Sequence, residues 1–278
     1  MKVFISADME GVAGTVDWSQ GRIGGAGYEQ GCRLMLAEVN AAIDGVLDVD
    51  ASAEIVVNDS HGKMFNLDPE GIHGEAKYLS GAHKPLYMMQ GLDSSFDAQF
   101  LIGYHGSISG EPSALSHTYN PQVFSGVRLN DAYVGESGIN ALVGAHYGVP
   151  IALVSGDQVT ALEMTSFAPD VISVQTKTSV SRFAALNLHP TASRRLIREG
   201  AATAVESVVA SAIAPPAIAS PLRLDIDFQT SDMAEIATWV KGVERTAERS
   251  ARISGTDLLQ AYRSFVAVSY ITRQAEGR

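Results

Sequence analysis

The chain has 278 residues, of which 46% are apolar, so it is long enough to build one large domain or two smaller ones around a real core. Its formal net charge of −11 argues against nucleic acids and anionic membranes as partners, because both are recognised by clustered Lys and Arg. The single cysteine, Cys32, excludes an intramolecular disulfide framework and fits the cytoplasm, and no apolar run approaches the roughly 18 residues of a membrane span.

The first predicted strand covers residues 3–7 and ends in two carboxylates one residue apart, Asp8 and Glu10. No basic region followed by an apolar region precedes it, so we expect no signal peptide. Two negative charges at the exit of a buried strand are unfavourable unless a cation lies between them. We therefore expect a metal ion at this strand end.

A glycine-rich loop is predicted over residues 11–27, and a helix over residues 28–47 follows it. The loop lacks the strand–GxGxxG–helix spacing of a dinucleotide fingerprint. Cys32 lies in the helix, where we expect it to be a small packing residue.

Strands and helices alternate in the rest of the first half. Short apolar runs predict strands at 54–58, 98–104 and 150–154, and helical patterns lie at 132–148 and 157–166. This alternation indicates an α/β fold with a mostly parallel sheet flanked by helices. The apolar runs are continuous, which is typical of strands covered on both faces.

The second half has a different pattern, with three prolines between an alanine-rich helix and a strand of alternating polarity that we expect to be half-exposed. We predict an α/β metal-binding catalytic domain at residues 1–167 and a smaller α+β portion at residues 168–278, whose last helix can pack back on the first domain. The elements predicted in this portion are a helix at 190–212, a strand at 222–228, a helix at 231–240, a strand at 241–246 and a helix at 254–272.

Metal-competent side chains follow three of the predicted strands. Asp8 and Glu10 follow the first, Asp59 and His61 the second, and His105 the third. The carboxyl ends of parallel strands meet at one sheet edge, so these side chains should converge there. Asp59 is better explained by an Asx turn, and a single loop histidine is usually a surface or packing residue. The convergence of several such residues nevertheless predicts a metal site.

The type of metal follows from the ligand types. Mixed nitrogen and oxygen ligands suit Zn²⁺ better than Mg²⁺, which prefers oxygen. No cysteine motif for a closed structural zinc site is present, so a catalytic site with open positions is favoured.

Two further stretches can reach this site. His117 lies in a polar loop after the third strand, and Glu136 lies near the start of a helix beside two glycines. Glu136 has two explanations, because a first-turn acid is stabilised by the helix dipole and can equally point into a cleft. The remaining histidines have no comparable placement: His73, His83, His146 and His189.

Five motifs in this order and at these spacings resemble the zinc-dependent D-aminopeptidases: SADMEG, NDSHGKM, GYHG, LSHT and VGESGIN. The resemblance is strongest between residues 1 and 160. It implies a dinuclear zinc aminopeptidase that hydrolyses short peptides or amides with an N-terminal D-amino acid such as D-Ala.

The resemblance also implies two Zn²⁺ per subunit, with Asp8 bridging the two ions. Glu10 and His61 would complete one site, and His105 and Glu136 would complete the other.

His117 would be the catalytic residue, acting as an oxyanion stabiliser, a proton shuttle or a nucleophile. The implied partners are a small peptide substrate and further copies of the chain in a ring-shaped homo-oligomer, a decamer in the type member.

Two other functions stay open at this stage. A two-metal amidohydrolase or phosphoesterase could use the same ligand types on another small molecule. For a phosphate, only Lys63 and Arg128 are basic candidates near the motifs. A non-enzymatic binding or assembly protein on an α/β scaffold is the third possibility.

Overall fold

Two sheets and seven helices make up the computed structural model, which describes residues 1–108 and 110–276. The strands are β1 (Lys2–Ala7), β2 (Glu54–Asp59), β3 (Lys77–Leu79), β4 (Ala98–Tyr104), β5 (Phe124–Leu129), β6 (Ala132–Tyr133), β7 (Ile151–Asp157), β8 (Ile172–Ser181), β9 (Ala184–Asn187), β10 (Leu222–Phe228), β11 (Val243–Ala247) and β12 (Ser250–Gly255). The helices are α1 (Trp18–Gly21), α2 (Tyr28–Val49), α3 (Glu136–Tyr147), α4 (Gln158–Thr165), α5 (Pro190–Val209), α6 (Ser231–Ala237) and α7 (Leu258–Thr272).

The larger sheet has seven strands in the order β3-β2-β1-β4-β7-β8-β9. All neighbouring pairs are parallel except β8 and β9, which form an antiparallel hairpin at one edge. The smaller sheet is antiparallel, with five strands in the order β11-β12-β10-β5-β6. The predicted α/β fold with a mostly parallel sheet is confirmed.

The two sheets are interleaved along the chain, so the boundary predicted at residue 167 does not coincide with the division between them. β5 and β6 precede residue 167 but belong to the smaller sheet, whereas β8 and β9 follow it and belong to the larger one. β8, which lies between β7 and the edge strand β9, is largely polar, and several of its side chains are exposed. Its sequence therefore lacks the apolar run that marks the central strands.

Both faces of the larger sheet are covered by apolar clusters, because successive side chains of a strand point to opposite faces. In β1, Phe4 belongs to the cluster shared with α3 and α7, and Val3 and Ile5 belong to the cluster shared with α2 and α5. Helix α7 packs against α3, which joins the end of the chain to the larger sheet. Within the described ranges, no helix combines the length and the apolar character needed to cross a bilayer.

Several local predictions differ from the structure; the last helix, for example, begins at Leu258 because residues 250–255 form β12. β10 is a central strand of the smaller sheet and is mostly buried, so its predicted half-exposure is wrong. Its Asp225 is covered because it forms ion pairs with Arg223 and Arg252. Helix α3 begins at Glu136, four residues later than predicted, because residues 132–133 form β6. The glycine-rich loop contains the short helix α1.

The exits of β1 and β4 are held together by backbone contacts. The N–H of Asp8 donates to the carbonyl of Ile102 at 2.8 Å, and the N–H of Gly11 donates to the carbonyl of Gly103 at 2.7 Å. Gly103 has a φ of +74°, and a Cβ there would lie 2.3 Å from the Asp8 carbonyl oxygen. Glycine is therefore required at this position for the two strand ends to approach.

Candidate metal centre

The six predicted site residues lie together at the carboxyl edge of the larger sheet. Asp8 and Glu10 follow β1, His61 follows β2, and His105 follows β4. Glu136 is the first residue of α3, and its side chain points into the cleft. All six are buried, with exposed fractions of 8% or less: Asp8, Glu10, His61, His105, His117 and Glu136.

One half of the site is built around His61. Its Nδ1 lies 3.1 Å from Asp8 Oδ1 and 2.9 Å from Glu10 Oε2. Its Nε2 lies 2.6 Å from the carbonyl oxygen of Gly21, which can only accept. The Nε2–H therefore donates to Gly21, and Nδ1 is left to face the two carboxylates.

The other half is built around His105. Its Nε2 lies 3.6 Å from Asp8 Oδ2 and 3.7 Å from Glu136 Oε2. Its Nδ1 lies 2.9 Å from the carbonyl oxygen of Gly106 and donates to it. The two oxygens of Asp8 thus face different histidines, one in each half of the site.

His117 adjoins the second half. Its Nδ1–H donates to the carbonyl of Leu115 at 2.9 Å, and its Nε2 lies 3.3 Å from Glu136 Oε1. Its ring stacks on that of His105 with centroids 4.3 Å apart, and Trp18 packs edge-on at 5.5 Å. These contacts fix the ring plane and the tautomer of His117.

The donor set fits metal ions. In all three histidines one ring nitrogen is held by a main-chain carbonyl and the other faces carboxylate oxygens. Facing lone pairs repel unless a proton or a metal ion lies between them. Three of these buried atoms, Asp8 Oδ2, Glu10 Oε2 and His105 Nε2, have no hydrogen-bond partner among the described residues. This arrangement of imidazole and carboxylate ligands suits Zn²⁺.

Two compact ligand groups can be distinguished, in each of which the ligand atoms lie within 4.8 Å of one another. One consists of Asp8, Glu10 and His105, and the other of His105, His117 and Glu136. His105 belongs to both, and His117 is close enough to act as a ligand as well as a catalytic group.

The charges of the site hold Glu10 ionised. Burial raises the pKa of Glu10, but the neighbouring charges of His61 and His105 outweigh it and lower that pKa to about 2. Burial lowers the pKa of His105, whereas Glu136 and Asp8 raise it more, to about 10. In the metal-free protein, protons on the imidazoles balance the carboxylates, and a bound metal would displace them.

The pKa of His117 is shifted in the opposite direction to that of His105. Burial and the positive charge of His105 lower its pKa to about 4. The imidazole is therefore neutral at pH 7, with the proton on Nδ1 and a free electron pair on Nε2.

Two residues that no sequence motif singles out, the half-buried Glu163 and the buried Lys177, hold the backbone beside the candidate ligands. Glu163 accepts hydrogen bonds from the N–H groups of Ser107 and Gly135, at 3.1 and 3.3 Å, and so fixes the segments next to His105 and Glu136. Lys177 on β8 donates to the carbonyl of Glu10 at 2.7 Å. Neither lies near a motif, because each acts on a segment distant in the chain.

Asp59 does not join the site. Its carboxylate accepts hydrogen bonds from the N–H groups of Asn66 and Leu67 and from the side chain of Asn66. The predicted Asx turn is not what holds Asp59, because its partners lie seven and eight residues further along the chain, and its carboxylate instead closes the loop after β2.

A cavity of about 270 Å³ leads from the surface to the site. The carboxylates and two of the histidines lie at its base, and Trp18 and Tyr119 form part of its wall. The N–H of Tyr119 donates to Glu136 Oε1 at 2.9 Å, which orients that carboxylate. The volume is at the small end of the range for ligand pockets and suits a small molecule.

Known proteins share both the sequence and the fold. The model of the Peptidase M55 family, described as D-aminopeptidase, matches residues 1–267. The D-aminopeptidase of Bacillus subtilis (strain 168) is 35% identical over 274 residues, which is 97% of each chain. The solved structure of the Zn-dependent D-aminopeptidase DppA from Bacillus subtilis, a self-compartmentalizing protease, has a TM-score of 0.92 and 33% identity, and the match covers 99% of this chain and 98% of that one.

Proposed function

Because this chain belongs to the D-aminopeptidase family M55, we propose that it is a zinc aminopeptidase that holds two Zn²⁺ per subunit. Its substrates are short peptides or amides with an N-terminal D-amino acid such as D-Ala. The observation that carries the proposal is the position of Asp8, whose two oxygens face His61 and His105 at 3.1 and 3.6 Å. A carboxylate in that position can bridge two metal ions.

In the proposed ligand set, Asp8 is shared between the ions. Glu10 and His61 complete one site, and His105 and Glu136 complete the other. Bound zinc would lower the pKa of a coordinated water towards ~7 and polarise the substrate carbonyl. The three carboxylates leave two Zn²⁺ with about one net positive charge, so the acids can stay ionised.

His117 supplies the proton transfer in this proposal. Its Nε2 is unprotonated near pH 7 and points to the cavity beside Glu136, so it can take up a proton and pass it to the leaving amine. The carbonyl of Leu115 and the ring of Trp18 keep Nε2 aimed at this position. Glu163 and Lys177 act as positioning residues, because they hold the backbone next to three of the ligands.

A two-metal phosphoesterase remains the competing function, but the structure offers it little support. Arg128, a candidate for gripping a phosphate, lies 3.3 Å from Asp227 on the smaller sheet and does not line the cavity. Lys63, the other candidate, does not line the metal cavity either, but lines a neighbouring space.

We also propose that the chain assembles into a ring-shaped homo-oligomer in the cytoplasm, with ten subunits as in the type member. The β8–β9 hairpin supports assembly, because it presents three exposed apolar side chains: Val180, Phe183 and Leu186. Light scattering of the purified protein would measure the number of subunits.

The activity is tested with purified protein and four substrates: D-Ala-D-Ala, L-Ala-L-Ala, a D-alanyl anilide and an aryl phosphate. We expect hydrolysis of the two D-alanyl substrates, its loss after chelation, and its recovery when zinc is added. Hydrolysis of the aryl phosphate alone would support the competing function. No hydrolysis of any substrate by the zinc-loaded protein would contradict the proposal.

A further inference from the structure

The mouth of the metal cavity is positively charged, although the chain carries a net charge of −11. An outer vestibule of about 380 Å³ adjoins the inner cavity and is lined by Gly21, Arg22, Ile23, Gly62, Lys63, Asn66 and Arg273. Its lining contains three cationic side chains and no carboxylate. Arg22 and Arg273 line both spaces, so they stand where the cavity opens into the vestibule.

Most of this positive charge is not neutralised by the protein. Arg22 and Lys63 form no ion pair within residues 1–108 and 110–276. The guanidinium of Arg22 lies 5.1 Å from the ring centre of Trp18, which orients it beside the cavity. Arg273 pairs with Glu276 at 3.5 Å. Arg22 and Lys63 are thus left without an ion-pair contact among the described residues, although Asp17 also attracts Arg22 electrostatically.

The side chains at the two ends of the cavity therefore carry charges of opposite sign. The inner end carries carboxylates and candidate metal ligands, and the outer end carries guanidinium groups. A short peptide with free termini also carries opposite charges at its two ends, a positive amine and a negative C-terminal carboxylate. Guanidinium groups bind carboxylates through paired, charge-assisted hydrogen bonds.

We propose that Arg22 and Arg273 bind the C-terminal carboxylate of a short peptide whose N-terminal residue lies at the metal centre, with Lys63 adding to the attraction. This inference rests on the proposed peptidase function and deepens it. It makes the enzyme selective for peptides that are only a few residues long, because the carboxylate must reach the mouth of a cavity of about 270 Å³. Peptides with a blocked C-terminus would lose this interaction.

The test compares D-Ala-D-Ala with its C-terminal amide, which has the same scissile bond but no terminal charge. The zinc-loaded wild type should hydrolyse the free acid with a kcat/KM roughly tenfold to a hundredfold higher, the effect expected for a charge-assisted hydrogen bond. The Arg22→Gln/Arg273→Gln double variant should lose most of that advantage, mainly through a higher KM for the acid. Its kcat/KM for the amide should fall much less than its kcat/KM for the acid.

Arg128→Gln serves as the matched control, because it removes a positive charge outside both spaces. It should leave the ratio of acid to amide hydrolysis unchanged. Hydrolysis of the amide and zinc content together report whether the double variant is folded.

Equal hydrolysis of acid and amide by the wild type would overturn the inference but leave the peptidase function in place. An equal loss for both substrates in the double variant would also overturn it. Failure of the zinc-loaded wild type to hydrolyse either substrate would overturn the peptidase function, and the inference with it.

Discussion

Replacing Glu38 by Gln should change how the stability of the protein depends on pH. Glu38 lies on α2 and is 2% exposed. Its Oε1 accepts hydrogen bonds from the N–H of Ala13 at 3.0 Å and from the hydroxyl of Ser193 at 2.7 Å. Its Oε2 has no hydrogen-bond partner in the described part of the chain. Glu38 therefore ties the loop that follows Glu10 to helices α2 and α5.

The size of the effect follows from the pKa of Glu38. Burial raises this pKa from 4.5 to about 7, against the opposing influence of the two hydrogen bonds and the charge of Lys177. Since folding favours the protonated form, the group destabilises the folded state increasingly as the pH rises from about 4.5 to about 7. The difference corresponds to about 3 kcal/mol at pH values above both pKa values.

The assay is urea unfolding of the wild type and Glu38→Gln, both with chelator, at several pH values between about 5 and 8. Gln keeps an acceptor for Ala13 and Ser193 but cannot ionise. Relative to the wild type, the free energy of unfolding of the variant should rise by about 2.5 kcal/mol between the ends of this range. Glu206→Gln, at an exposed position of α5, should follow the wild type. A difference between Glu38→Gln and the wild type that is constant with pH would refute the reasoning.

Two further predictions concern the proposed metal ligands and the proposed catalytic histidine. Asp8→Ala should remove both zinc ions, whereas Glu10→Ala should weaken the binding of mainly one ion, because only Asp8 faces both halves of the site. Zinc analysis of the two variants checks this prediction. Equal, mild losses of zinc from both would count against the bridging role of Asp8. His117→Ala should retain zinc but lower kcat by roughly a hundredfold or more, as expected for a general acid–base residue. Zinc analysis with kinetics on D-Ala-D-Ala checks it, and loss of a zinc ion along with activity would instead identify His117 as a ligand.

The central strands and their carboxyl ends could be predicted from the sequence because the signal there is local. Buried parallel strands are continuous apolar runs, and β1 and β4 end directly in Asp8 and His105. Because the carboxyl ends of parallel strands meet at one edge of the sheet, the sequence alone predicts that these residues lie close together.

The smaller sheet could not be assembled in the same way. β6 has only two residues, and glycine and polar residues interrupt β5 and β12, so none shows the apolar run of a central strand. Their pairing is long-range, since β5 pairs with β10 almost a hundred residues later. Antiparallel pairs of this kind are specified by tertiary packing and leave little trace in a single sequence.

Within the site, the side chains that line the edge were predictable and those that support them were not. Glu163 and Lys177 are single charged residues in a helix and a largely polar strand, where exposure is the usual expectation. Their roles are explained only by the N–H and carbonyl groups that they contact. A role for Arg22 and Arg273 could not be predicted either, because they are distant in the sequence and only the fold brings them together at the cavity mouth.

The most direct test of the account is the number of zinc ions bound per chain. Protein stripped with a chelator, reloaded with zinc and separated from free metal should contain two zinc ions per chain. Hydrolysis of D-Ala-D-Ala should return as they bind. One zinc ion per fully active chain would contradict the shared role of Asp8, and full activity without zinc would contradict the proposed function itself.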